Sequence, residues 1–294
     1  MSRLFLKFIV FFFLIKNRPV SLFFTNLIVY DIIMHVSKDR YYRRGEIMLE
    51  EGERLEPLGN GIRVIVSDEH GFGTDTVLLA NFSMPKSSDK ACELGTGCGT
   101  IPLIWSREGK PHSVTAVDIQ EKACSMLKRS AELNGLDKKI TVLHSDILEL
   151  SGKVEYSSYD LVVCNPPYKA AGTGIVNPVQ SQMIARHECT CTVEDIIRVA
   201  SRLLRFSGRL CMCQRPERLS DLICTMRRYN IEPKRLRFVQ QRASKQPKLF
   251  LIEGRRSGKP NGLIVEPVLM IEDSNGGLSE EMIQIYGAYK EEYL

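Results

Sequence analysis

The stretch Glu93-Leu94-Gly95-Thr96-Gly97-Cys98-Gly99 decides how this chain is read. It follows the apolar Ala91-Cys92, and the helix-compatible Thr100-Ile101-Pro102-Leu103-Ile104-Trp105 begins directly after it. A strand that turns through spaced glycines into a helix is the opening of a βα unit. Glycine serves there because the chain turns tightly and a ligand can approach the backbone with no Cβ in the way. Open α/β sheets bind their ligands at this carboxyl end of the strands. Taken alone, GxGxG does not choose among nucleotide-type cofactors, since nicotinamide and flavin sites use related glycine patterns.

Outward from the loop, short β-rich runs at 91–94, 114–118, 140–144 and 161–164 alternate with helical patterns at 100–107 and 122–134. This βαβ alternation predicts a parallel sheet covered on both faces. Upstream, 61–67 reads as a strand. The run from His70 to Phe82 reads as a turn entering a helix capped by Thr74 or Asp75, with Val77, Leu78 and Leu79 inward. Downstream come a helix at 193–204, a strand at 209–213 and a helix at 219–229. Three strands follow, at 235–239, 249–253 and 263–269, with no room for helices between them. An antiparallel edge is the simplest arrangement for these three. The expected fold is α/β: one Rossmann-like domain over 48–272 with a mostly parallel seven-stranded sheet and an antiparallel edge near the C-terminus. Residues 1–47 are expected to be an extension and 273–294 a tail.

The extension is apolar over 4–36, but Lys7, Lys16, Arg18 and Asp31 interrupt it, and its longest clean run is 8–15. A bilayer span needs about 20 apolar residues, so no stable membrane association is expected. No small-residue cleavage site follows, which argues against a signal peptide. Arg44-Gly45-Glu46-Ile47-Met48 can be encoded by a purine-rich stretch ahead of a start codon, so Met48 is expected to be the start.

A chain of 294 residues with 44% apolar and 26% charged content can build one sizeable core. Its nine cysteines are scattered, several inside apolar runs, which points to reduced thiols in a cytoplasmic protein. The net charge of +5 hides an asymmetry. Residues 48–185 hold 13 Lys and Arg against 18 Asp and Glu, whereas 186–260 hold 18 against 7. A charged face kept soluble by water would explain part of this; a polyanionic partner explains it better.

The second parallel strand ends at Asp118, about 20 residues past the glycines, where a carboxylate can accept both hydroxyls of a ribose. The third is followed by Asp146, placed to accept from an adenine amine. Acids at successive strand ends after Gly95 favour S-adenosylmethionine over a dinucleotide, although an aspartate at either place can also cap a helix.

Asp160-Leu161-Val162-Val163-Cys164 runs straight into Asn165-Pro166-Pro167-Tyr168. Consecutive prolines end the strand and stiffen the chain. Such a loop can hold the Asn165 side-chain oxygen and the Pro166 carbonyl so that both accept from one amine, while Tyr168 offers a flat face for stacking. A conjugated amine is a poor nucleophile because its lone pair is delocalised. Two acceptors on its hydrogens favour a tetrahedral nitrogen with the lone pair directed at a methylsulfonium. The rate then comes from positioning and electrostatic preorganisation, without a strong base.

On these residues the chain resembles the class I amino-methyltransferases of the NPPY type. More narrowly it resembles the bacterial tRNA(Val) adenine N(6)-methyltransferases, which modify the adenine beside the anticodon. The resemblance runs over 49–269 and is carried by Phe-Gly-Thr-Asp-Thr-Val-Leu-Leu-Ala at 72–80, the glycine loop, 116–120, 133–135, Ser145-Asp146-Ile147, the NPPY run and Ala185-Arg186-His187-Glu188. It implies that Gly95, Gly97 and Gly99, with Glu93 at their head, wrap the methionine part of S-adenosylmethionine, and that Asp118 and Asp146 hold its ribose and adenine. It further implies that Asp75 closes over the cofactor and that Asn165, Pro166 and Tyr168 hold the target base in tRNA. Many members carry Glu at position 118; Asp keeps the acceptor chemistry. The first 47 residues have no counterpart in the family pattern.

Pro167 and His187 are further substrate candidates. So are Arg235, Arg237, Lys248 and Arg255 in a basic segment interleaved with Tyr229, Phe238 and Phe250, a mixture suited to phosphates and unpaired bases. His187, Cys189 and Cys191 lack zinc-knuckle spacing, so no metal is expected. A protein-glutamine methyltransferase needs the same two acceptors, and an rRNA or DNA amino-methyltransferase is a nearer alternative. A catalytically silent RNA-binding module is opposed by the intact Asn165 and glycine loop.

Overall fold

Near-continuous apolar runs such as Tyr159-Asp160-Leu161-Val162-Val163-Cys164 are apolar on both faces because helices cover both sides of the sheet they form. The computed structural model describes residues 49–166 and 191–287. In chain order the elements are β1 (Glu53–Gly59), β2 (Ile62–Ser67), α1 (Thr74–Ser83), β3 (Lys90–Leu94), α2 (Thr100–Arg107), β4 (Ser113–Asp118), α3 (Glu121–Leu133), β5 (Ile140–His144) and β6 (Tyr159–Cys164). They continue as α4 (Val193–Leu203), β7 (Leu204–Gln214), α5 (Leu219–Arg228), β8 (Ile231–Gln240), β9 (Leu249–Arg256), β10 (Ile264–Val265), β11 (Leu269–Met270) and α6 (Glu280–Tyr286).

The sheet runs β10-β8-β9-β7-β6-β3-β4-β5, with β11 also paired to β8. From β5 to β7 all pairings are parallel; β9 is antiparallel to both β7 and β8. Seven long strands thus make the expected sheet with its antiparallel edge. The strand expected over 263–269 needs correction: it is two short pieces, both parallel to β8. Pro267 interrupts it, having no N–H to give to a ladder. Its direction follows from β9, which delivers the chain to the amino edge, so that the chain climbs again alongside β8.

One face of the sheet packs Ala91, Ala116, Leu161, Val163 and Cys211 against α1, α2 and α3. The other packs Leu94, Val162, Leu210 and Met212 against α4 and α5. The β1–β2 hairpin closes the first face. Val64, Ile65 and Val66 are fully buried, the Ile65 amide donates to Ser130 Oγ at 2.9 Å, and Arg129 holds Glu53 through two bonds of 2.7 Å. Past residue 272, where the sequence suggested only a tail, α6 buries Met282 and Ile285 in this same cluster. The Tyr286 hydroxyl lies 3.1 Å from Thr74 Oγ1 at the start of α1. Among the described residues no helix is long and apolar enough to cross a membrane.

After β3 the chain winds outward to β4 and β5, then crosses back to place β6 on the other side of β3. The adjacent carboxyl ends of β3 and β6 therefore open a crevice, the place where doubly wound sheets take ligands.

Candidate active site

Leu94 pairs with Cys164 across the β3–β6 register, so the glycine loop and Asn165 leave neighbouring strand ends side by side. The loop is pinned from below. The amides of Gly95 and Thr96 donate to the Val117 carbonyl at 2.8 and 3.0 Å, and Gly97 N–H donates to Asp118 Oδ2 at 2.7 Å. Gly95, Gly97 and Gly99 take φ of 75°, 54° and 84°, a region costly for side chains. They serve different ends. A Cβ on Gly95 or Gly97 would meet nothing within 4 Å, so these residues border open space, whereas one on Gly99 would stand 2.1 Å from Leu127 Cδ1. Gly99 is therefore required by packing, and the first two form a cradle open to a ligand.

Asp118 is only 4% exposed, and both of its carboxylate oxygens accept backbone amides, Oδ2 from Gly97 and Oδ1 from Gln120 at 2.9 Å. It thereby fixes the loop to the end of β4 with acceptor capacity to spare. Asp146 accepts from Leu148 N at 2.8 Å and starts a single 3-10 turn, so its capping role is realised while it remains partly accessible. Sequence reasoning missed Ile119 and Leu148. Each follows one of these acids, and they are 40% and 39% exposed beside the crevice. Apolar side chains left open next to two acceptors suit a purine, whose faces are apolar and whose edge is polar. The available signal was the repeated acid-then-apolar order, Asp118-Ile119 and Asp146-Ile147-Leu148. Open cradle, ribose-type acceptor and apolar flanks together fit S-adenosylmethionine.

Glu93 is 2% exposed, and burial pushes its carboxyl well above the usual range, with the Asp118 charge adding to the rise. Thr96 Oγ1 donates to it. Glu93 sits beneath the loop at the end of β3, where burial disfavours its charged form.

Asn165 is held from two sides: its Nδ2 donates to Thr76 Oγ1 at 3.1 Å, and Cys213 Sγ donates to its Oδ1 at 2.9 Å. Thr76 lies in the first turn of α1, Cys213 near the end of β7. Neither was singled out from the sequence, because the contact joins residues 89 and 48 positions from Asn165. Asp75 shares that first turn and accepts from Thr76 N at 2.9 Å. A Cβ on Gly73 would stand 2.7 Å from its Oδ1, so glycine there leaves room for the carboxylate to fold back. Pro166, the next residue, is buried. Pro167, Tyr168 and His187 lie outside the described residues.

The basic segment is largely neutralised within the protein. Arg235 pairs with Glu253 and Glu266 at 2.8 and 2.7 Å and stacks over Phe82, and Arg237 binds Glu281 and the Pro267 carbonyl. Arg255 is exposed, but it faces Arg209 across β9 and β7 at the amino edge, six residues along the strand from Leu249. That is about 20 Å from the crevice edge at the usual rise per residue. Lys248 is exposed at the crevice edge, where β9 begins.

Residues 64–223, more than half of the chain, match the family model described as "Methyltransferase small domain". The tRNA1(Val) (adenine(37)-N6)-methyltransferase of Porphyromonas gingivalis is 31% identical over 208 residues, 66% of this chain and 81% of that one. The protein of that name from Aeromonas hydrophila is 24% identical over 214 residues, 72% and 87% of the two chains. Among solved structures, a predicted O-methyltransferase from Agrobacterium tumefaciens matches with a TM-score of 0.59 at 17% identity, over 74% of this chain and 97% of that one. Pyrococcus horikoshii TYW2 in complex with MeSAdo matches at 0.50 and 12% identity, over 72% and 74%. These two likenesses bear on the fold, which is that of class I methyltransferases. By its family model and its relative from Porphyromonas, the chain belongs to the methyltransferase small domain family, in the group of the tRNA1(Val) (adenine(37)-N6)-methyltransferases.

Proposed function

We propose that the protein methylates the exocyclic N6 of an adenine in tRNA, and that this adenine is the one at position 37 of a valine tRNA named for its relatives. The observation that carries the chemistry is the Leu94–Cys164 register, which sets the Asn165 acceptor beside the open glycine cradle. S-adenosylmethionine, when bound, supplies an electrophilic methyl group on a sulfonium. In this reading Gly95 and Gly97 line its amino-acid part, Asp118 accepts its ribose hydroxyls, and Asp146 with Ile119 and Leu148 borders its adenine. Glu93 and Gly99 shape the loop from beneath, and Asp75 faces the crevice from α1.

Asn165 Oδ1 and the Pro166 carbonyl accept the two hydrogens of the target amine. That draws the nitrogen towards a tetrahedral shape and aims its lone pair at the cradle. In the same reading Tyr168 stacks on the base, and Pro167 and His187 are assigned to contacts with the substrate. Because the base is stacked in its loop, it must be drawn out to reach Asn165. None of the eight described cysteines forms a disulfide, in keeping with a cytoplasmic protein acting where tRNA is.

The test is to incubate the purified protein with labelled S-adenosylmethionine and, separately, total tRNA, rRNA, DNA and a release factor, then to digest and identify the methylated product. N6-methyladenosine in tRNA is expected, and Asn165→Ala should abolish transfer while leaving cofactor binding intact. Label appearing only in protein glutamine, or full turnover by Asn165→Ala, would refute the assignment.

A further inference from the structure

The hairpin turn joining β8 to β9, residues 241–248, reads Gln-Arg-Ala-Ser-Lys-Gln-Pro-Lys: three cations and no acid. Its position follows from the register. Val239 pairs with Leu249 and Gln214 with Phe250, so the turn stands at the same edge of the sheet as Gln214 and Asn165. β9 and β8 are two and three strands from β6, on the side away from β3, β4 and β5. At about 4.8 Å per strand the turn is roughly 10–14 Å from Asn165 across the sheet.

The cofactor cradle and its acids occupy β3, β4 and β5. A polymer presenting a base to Asn165 must therefore approach over β7, β9 and β8, where this turn projects. Most other cations of the segment have work inside the protein. Arg227 binds Glu232, Arg228 binds Glu194, Lys234 donates to the carbonyls of Lys259 and Asn261, and Arg256 donates to the Ser201 carbonyl. Within the turn itself Arg242 pairs with Glu272 at 2.7 Å. Lys245 and Lys248 are exposed, and no ion pair among the described residues engages either. Arg215, also exposed, follows the end of β7 one strand nearer to Asn165.

We propose that the β8–β9 turn is the surface along which the RNA strand flanking the extruded base is held, with Lys245 and Lys248 contacting its phosphates. This inference rests on the tRNA substrate argued above. It assigns RNA affinity to one eight-residue turn and takes it away from Arg235, Arg237 and Arg255.

The test measures binding of an unmodified tRNA transcript by fluorescence anisotropy across a salt series, and methyl transfer to the same transcript. Each phosphate contact contributes about 0.7–0.9 to the slope of log affinity against log salt. The double variant Lys245→Gln/Lys248→Gln should lower that slope by about 1.4–1.8. It should also raise KM for tRNA severalfold while keeping kcat at saturating RNA. Arg255→Gln, at the opposite edge, should change neither. A double variant with wild-type slope and KM overturns the proposal, as does an equal loss in Arg255→Gln. Wild-type protein that binds tRNA through these lysines yet transfers no methyl refutes the function and leaves the surface standing; absence of tRNA affinity refutes both.

Discussion

Asn165 donates its amide to Thr76 Oγ1 at 3.1 Å, which couples the end of β6 to the first turn of α1. With Cys213 Sγ donating to Oδ1 at 2.9 Å, the plane of the Asn165 side chain is set before any substrate arrives. Thr76→Val keeps the shape and removes the acceptor, so one of the bonds that orient the amide is lost. A hydrogen bond of this kind is worth about 0.5–1.5 kcal/mol net. Spent on positioning, that corresponds to a fall in kcat of about two- to thirteenfold. Cofactor affinity should be unchanged, and Thr76→Ser should restore the rate. Steady-state kinetics with tRNA decide it: equal kcat in Thr76→Val and wild type would remove Thr76 from the positioning role.

Gly97 and Gly99 separate cofactor binding from stability. Both have positive φ, so alanine at either costs about 1–2 kcal/mol of backbone strain. At Gly99 the new methyl also collides with Leu127, whose side chain lies within 2.8 Å of it and is fully buried. Gly99→Ala should lower the midpoint of chemical denaturation by clearly more than Gly97→Ala. Gly97→Ala points its methyl into the open cradle and should instead lose S-adenosylmethionine affinity, as isothermal titration would report. Equal effects of the two substitutions on both measurements would contradict this division.

The parallel half of the fold was legible because strands buried on both faces must be continuously apolar, as Leu161, Val162 and Val163 are, and because Gly95 to Gly99 can only be a turn. β1 was hidden. Its Glu53, Arg54, Glu56 and Pro57 deny it a strand signature, and it is held by pairing with β2 and by the Glu53–Arg129 ion pair, which a local pattern cannot show. In the site, Asp118 and Asn165 stood out because strand ends in such sheets carry the chemistry. Thr76 and Cys213 did not, since their role exists only once α1 and β7 have packed beside β6. The ion pairing within the basic segment was hidden for a related reason. A charge count over 186–260 cannot see Glu266, Glu272 and Glu281 arriving from outside it to neutralise Arg235, Arg242 and Arg237.

Glu93 gives the protein a pH signature. Its carboxyl is raised in the folded state, chiefly by burial, so folding is relatively favoured while the group is protonated in both states. That contribution is fully present below the unfolded value near 4.5 and is lost as pH rises through the raised folded value. Glu93→Gln keeps an acceptor for Thr96 and removes the proton. The variant should gain stability over wild type as pH climbs from 5 towards 8, and the difference should vanish near pH 4. Thermal melts across that range measure it, and a difference independent of pH would mean that Glu93 is not held uncharged.

The C-terminal helix α6 bears on the site through α1. Met282 is fully buried and Ile285 is 5% exposed, and burying side chains of this size contributes about 1.5–3 kcal/mol each. Arg237 adds an ion pair to Glu281, and the Tyr286 hydroxyl reaches Thr74, two residues before the partner of Asn165. Removing 279–294 should therefore cost about 3–6 kcal/mol, a large part of the 5–15 kcal/mol that keeps a typical domain folded. Tyr286→Phe provides the finer test. It keeps the ring and removes the hydroxyl that reaches Thr74, so the denaturation midpoint should move little while kcat falls if the start of α1 must be fixed for Thr76 to hold Asn165. Unchanged kcat in Tyr286→Phe, together with a large stability loss on truncation, would make α6 a support of the fold alone.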